Sequence, residues 1–213
     1  MVKEKDVIRV AVVEDEVMLA QMMCMWLGRH RHLEIVGRAS DGERGWELCK
    51  SAKPDVVLLD INMPGVDGLT LAERLLKELP QLKIIIVSSR LDPYCLYRLH
   101  TLGIPGCVSK ACSPDIIAEA IAAVMRGEQF QSPDYVNAWQ QARQDPAAFF
   151  KMLSDREIEV LRLLAKGLDL DAIAARLQIT YQTARTHQRN IRQKLDAHSA
   201  AEVLQKAQKN GVY

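Results

Sequence analysis

The chain has 213 residues, of which 48% are apolar and 26% charged, with 11 glycines and 8 prolines. This composition is that of an ordinary globular protein and excludes a disordered or fibrous one. The formal net charge is only +1, yet 17 basic and 20 acidic residues in 1–150 precede 11 basic and 7 acidic ones in 151–213. An acidic first part and a basic second part predict two domains, the second with a polyanionic partner.

The residues from Met1 to Asp6 suit neither a signal nor a transit peptide. No stretch approaches the ~18 uninterrupted apolar residues of a membrane span, so no membrane partner is expected. Cys24, Cys49, Cys95, Cys107 and Cys112 form no C-x-x-C pair. Free thiols in a reducing compartment are expected, with no zinc site, and the cytoplasm is the expected location.

In chain order, short apolar runs occupy 7–13, 33–36, 56–59, 84–87 and 106–108. Their β-branched content and brevity suit buried parallel strands. Amphipathic stretches lie between them, such as Leu69, Leu71, Ala72, Leu75, Leu76 and Leu79. Strand and helix alternating in this way predict an α/β fold, a doubly wound five-stranded parallel sheet with helices on both faces. Met18, Met22, Met23 and Met25 are expected to fill its core.

Residues 1–127 are assigned to this first domain and 128–151 to a partly helical linker. In the linker, Ser132-Pro133 suits an N-cap followed by a first-turn proline, and Asp145-Pro146 stops the helix. Residues 152–213 carry no strand signal and read as four short helices. Ser154 and Glu157 form a capping box for the first, whose apolar face is Ile158, Leu161, Leu164 and Ala165. The second runs from Asp169 to Leu177, the third follows Thr180 as its cap, and the last runs from Ser199 to Lys209. A tight turn between the second and a basic third helix is a helix-turn-helix pattern.

Chemistry collects at the expected strand ends. Glu14, Asp15 and Glu16 follow the first strand, Asp60 the third, Ser88 the fourth and Lys110 the fifth. In an open α/β sheet these ends converge on one crevice. Hard oxygens in that number suit Mg²⁺, and Asp60 could then form an aspartyl phosphate. Lys110 and the Ser88 hydroxyl would hold the phosphoryl oxygens.

These residues carry a family resemblance. Val12–Glu16, Leu58–Gly68, Val87–Ser89 and Val108–Lys110 resemble the receiver domain of bacterial two-component response regulators, a flavodoxin-like fold. The resemblance implies that Asp60 accepts phosphate from a sensor histidine kinase. It also implies that Asp15, Asp60 and the Asn62 carbonyl bind Mg²⁺, with Glu14 assisting through water. Ser88 and Lys110 would be the switch hydroxyl and the phosphate lysine. Glu14 stands where Asp is more frequent, and Cys107 stands where the family usually carries an aromatic switch residue.

The third C-terminal helix puts Ala184, Ile191 and Leu195 on one stripe and Arg185, Arg189 and Arg192 on another. Such a helix can dock in a major groove of double-stranded DNA. Residues 152–208 resemble the LuxR-type DNA-binding domain, and the whole chain is similar to NarL/FixJ-type response regulators. The resemblance implies that Arg185, Thr186 and Arg189 face base edges, with Thr183, His187 and Lys194 near the backbone. His187 lies close to the core stripe, so packing is as good an account of it. A regulator activated as a homodimer, and not an enzyme, is the expectation. The main alternative, a phosphohydrolase with an aspartyl nucleophile, would need a second Asp at position 62, where Asn62 stands. The other, a regulator independent of phosphate, would be expected to lose the acid pair or the lysine.

Overall fold

A computed structural model describes residues 7–89, 92–144, 152–209 and 211–212, which fall into two compact units. In the first, β1 (Ile8–Val13), α1 (Val17–Leu27), β2 (Leu33–Ala39), α2 (Gly42–Ala52) and β3 (Val56–Leu59) alternate. They are followed by α3 (Gly68–Glu78), β4 (Lys83–Ser88), α4 (Pro93–Thr101), β5 (Gly106–Ser109) and α5 (Pro114–Met125). β6 (Phe130–Gln131) and α6 (Pro133–Gln144) come next, and residues 93–97 of α4 and 138–144 of α6 group with the second unit.

All strands are parallel, in the order β2-β1-β3-β4-β5-β6. Five strands are expected from the sequence, and the structure adds a sixth. β6 is two residues long and pairs with Gly106 and Cys107 of β5. So short a strand carries no periodicity, and it falls inside the stretch read as linker. The helix expected after Ser132-Pro133 is present as α6, while its expected stop at Asp145-Pro146 lies outside the described residues.

β3 is buried along its whole length, as are Val10 to Val13 of β1. One face of the sheet, with Val10, Val12, Leu58, Ile85 and Val108, packs against Met23 and Leu27 of α1 and Ile121 and Val124 of α5. Helix starts follow local chemistry: Asp41, Asp67 and Ser113 accept amide hydrogens from Arg44, Thr70 and Asp115.

The methionines of α1 correct an expectation. Met23 is buried, but Met18, Met22 and Met25 are 75%, 54% and 66% exposed. A helix lying on a sheet buries one stripe, and these three share another at i, i+4 and i+7.

The second unit holds α7 (Asp155–Ala165), α8 (Leu170–Leu177), α9 (Tyr181–Lys194) and α10 (Ala200–Lys209). Both halves of the Ser154/Glu157 capping box are formed. α7 packs against α8, α9 and α10, so its buried set widens to Val160 and Leu163 while Leu164 is half-buried. Gln178, between α8 and α9, takes a left-handed conformation with φ +53°.

Candidate functional site

The strand order reverses direction between β1 and β3, which places the crevice of a doubly wound sheet at their carboxyl ends. The ladder continues one residue past each strand. Asp60 donates its amide to the Val13 carbonyl at 2.9 Å, Glu14 to Ala39 at 2.9 Å and Lys110 to Ser88 at 3.1 Å. The three side chains therefore stand on rigid backbone, not on free loop.

Lys110 Nζ donates to Asp60 Oδ2 and to Glu14 Oε1, both at 2.9 Å. Glu16 lies further out, at 3.7 Å. Glu14, Asp60 and Ser88 are each 2% exposed, and Asp15 is half-buried. Asp60 Oδ1 accepts the Ile61 amide at 2.7 Å, leaving Oδ2 to face the lysine. The turn after Asp60 carries Asn62, exposed, and returns at Gly68, whose amide meets the Ile61 carbonyl at 3.0 Å. A Cβ at Gly68 would run into the Asp60 backbone, so the position demands glycine.

The electrostatics follow from crowding. Burial pushes the Glu14 carboxyl up, Asp60 adds to that, and Lys110 opposes both. Burial alone would lower the Lys110 ammonium, but hydrogen bonds and charges from Glu14 and Asp60 outweigh it and hold the group above its ordinary value. Oxygens of Glu14, Asp15 and Asp60 lie within 4.8 Å of one another. Glu14 Oε2, buried, lies 2.9 Å from Lys110 Nζ as an ion contact without hydrogen-bond alignment. Three clustered carboxylates with a single ammonium among them fit a hard divalent cation.

Cys107 lies 2% exposed, and burial pushes its thiol up to about 12. Its side chain is hydrogen-bonded to Tyr135 of α6, a partner that sequence reasoning missed.

On α9, Ala184, Ile191 and Leu195 are buried as expected from their spacing. The outer face is an open concavity lined by Gln182, Arg185, Thr186, Gln188, Arg189 and Arg192. The glutamines were not singled out from the sequence, although they share the helical spacing of the arginines. Arg185 and Arg189 are exposed. Arg192 reaches the His198 carbonyl at 2.6 Å, and Thr186 donates to the Gln182 carbonyl at 2.8 Å. The Thr183 and Thr180 hydroxyls are 2.8 Å apart, and His187 is half-buried. Lys194 donates to buried Glu157 at 2.7 Å, across to α7. No helix among the described residues is long and apolar enough to cross a membrane.

Residues 10–122 match the response regulator receiver domain, and residues 151–207 the bacterial regulatory proteins of the luxR family. The chain belongs to the response regulators. Response regulator protein VraR of Staphylococcus aureus is 29% identical over 197 residues, which cover 92% of this chain and 94% of that protein. The structure of the response regulator ChrA from a heme-sensing two-component system is similar with a TM-score of 0.58 at 27% identity, over 98% of this chain and 100% of that one. RcsB from Salmonella enterica serovar Typhimurium bound to promoter rprA gives a TM-score of 0.65 at 24% identity, over 95% and 98% of the two chains. At that identity the likeness speaks for the fold. As a response regulator the chain joins a receiver domain to a LuxR-type DNA-binding domain and acts in transcription regulation.

Proposed function

We propose that this response regulator takes a phosphoryl group on Asp60 from a sensor histidine kinase and thereby controls DNA binding by α9. The observation that carries the reading is Lys110 bridging Asp60 and Glu14 at 2.9 Å, with Ser88 buried at the neighbouring strand end. Asp60 Oδ2 would bond to phosphorus as the bond to the donor's imidazole nitrogen breaks, and the imidazole would leave to take a proton from water. Lys110 would turn from the carboxylates to one phosphoryl oxygen, and Ser88 would donate to another. Asp15, Asp60 and the Asn62 carbonyl would hold Mg²⁺, with Glu14 reaching it through water. When bound, the ion neutralises the carboxylates and the incoming phosphoryl oxygens.

In the DNA-binding domain, Arg185, Thr186 and Arg189 would meet base edges, with Arg192 and Gln182 beside them. Thr183 and His187 would lie toward the backbone, while Lys194 holds α9 in place through Glu157. RcsB, of similar fold, is bound to promoter DNA in its own structure, which supports this use of the helix. A single helix-turn-helix offers a small interface, so phosphorylation is proposed to act by forming a homodimer on two half-sites. The proposal sets the receiver at 1–127, the linker at 128–151 and the DNA-binding domain at 152–213, in a cytoplasmic protein.

Incubation with Mg²⁺ and a small acyl phosphate is expected to add one phosphoryl group by mass, and Asp60→Asn to remove it. Full labelling of that variant would overturn the assignment. Sedimentation with and without the donor tests the dimer: equal mass in both states would refute it.

A further inference from the structure

β5 carries Lys110 at one end and holds the start of α6 along its edge. The Phe130 amide donates to the Pro105 carbonyl at 2.8 Å, and the Ser132 amide to the Cys107 carbonyl at 2.9 Å. Ser132 is fully buried, and its carbonyl takes the Val136 amide at 3.0 Å, the first bond of α6. Its hydroxyl reaches back to the sheet: Ser132 Oγ accepts the amide of Ser109, the residue next to Lys110, at 3.1 Å. Three residues on, Tyr135 is 3% exposed and joined by its side chain to Cys107.

Two buried side chains, Ser132 just before α6 and Tyr135 in its first turn, therefore hold Ser109 and Cys107, two of the last three residues before the lysine. If β5 moved and α6 did not, the Ser109 amide would be left as a buried unsatisfied donor, and the hydrogen bond between Tyr135 and Cys107 would break. Strand end and helix start are thus bound to shift together. We infer that Ser132 and Tyr135 are positioning residues that carry the state of the Asp60–Lys110 pair into α6, the helix that precedes the DNA-binding domain in chain order. This rests on the phosphoacceptor reading above. Charge arriving at Asp60 draws Lys110 away from Glu14, the end of β5 follows through Ser109, and the first turn of α6 follows β5. The aromatic ring that the sequence lacks at position 107 is thereby supplied from α6 by Tyr135.

The test uses the full chain with Mg²⁺ and a small acyl phosphate, comparing the parent with Ser132→Ala, Tyr135→Phe and Tyr135→Leu. Incorporated phosphoryl group is read by mass, and opening of the amides of 134–144 by deuterium exchange with and without the donor. Ser132→Ala and Tyr135→Leu are expected to label within about twofold of the parent, while the phosphorylation-dependent change in α6 exchange falls by about threefold or more. Tyr135→Phe keeps the ring and is expected to lose only part of the response. It also preserves the test if Tyr135→Leu fails to fold. A full parental α6 response in both Ser132→Ala and Tyr135→Phe would overturn the inference. So would a fully labelled parent whose α6 exchange does not change. A parent that takes no label would instead bring down the phosphoacceptor reading, which the mass readout reports separately.

Discussion

Lys194, at the end of the exposed basic helix, gives its ammonium to Glu157 of α7, whose side chain is only 4% exposed, at 2.7 Å. A lysine expected near the DNA backbone is thus spent on holding α9 to α7. Glu157 also accepts the Ser154 amide at 2.8 Å, so one carboxylate closes a helix cap and an interhelical pair. Lys194→Ala is expected to cost about 1–2 kcal/mol, near the low end because the lysine is half exposed. Chemical denaturation measures that loss, and the salt dependence of DNA binding should change little.

The same pair makes the domain acid-sensitive. Burial alone would raise the Glu157 carboxyl, but hydrogen bonds from Lys194 and Ser154 outweigh it and hold the group below its ordinary value of 4.5. The unfolded state therefore binds this proton more readily. The stabilisation is complete above the ordinary carboxylate range and is lost as pH falls through the lower folded value. Thermal melts of 152–213 in the full chain, stepped downward from about pH 6, are expected to fall less steeply for Glu157→Gln than for the parent.

Crowded carboxylates predict metal-linked stability. Mg²⁺ at about a hundred times its Kd is expected to stabilise the receiver by about 2.7 kcal/mol, and a chelator to reverse it. Asp15→Asn should abolish the effect. An unchanged Tm in Mg²⁺ for the parent would count against a site at Glu14, Asp15 and Asp60.

Gly68 allows the backbone turn after Asp60 to close. An alanine there would place its Cβ against the Asp60 carbonyl and 2.8 Å from Ile61 Cα. Gly68→Ala is expected to destabilise by about 1–3 kcal/mol and to slow labelling of Asp60, because the phosphoacceptor itself must shift. Denaturant melts and the rate of phosphoryl incorporation read the two effects.

Arginines on the open face of α9 should divide by role. Arg189→Ala is expected to relax base preference at one position by about 1–3 kcal/mol. A phosphate-contacting basic residue should instead weaken all sequences alike and lower the salt slope by about one. Binding titrations on matched and mismatched duplexes at several salt concentrations separate them. A salt slope unaffected by every basic substitution on α9 would rule out groove docking.

What the sequence by itself determined is local. β3 spans 56–59 as its apolar run predicts, and the Ser154/Glu157 box and the buried stripe of Ala184, Ile191 and Leu195 form where spacing puts them. Strand and helix periods, caps and turns depend on neighbours a few residues away, so they can be read from order alone. Glu14, Asp60 and Lys110 were legible as a group because each follows a strand, and strand ends converge. Only the tertiary structure decided which stripe of α1 turns outward, since Gln21 is the one polar residue in the helix and too little to mark a whole face. It also decided that a two-residue strand completes the sheet, that Lys194 serves Glu157, and that Tyr135 covers Cys107. Those pairings join residues 24 to 37 positions apart, and nothing in the intervening chain records which partner will stand opposite which; long-range packing chose them.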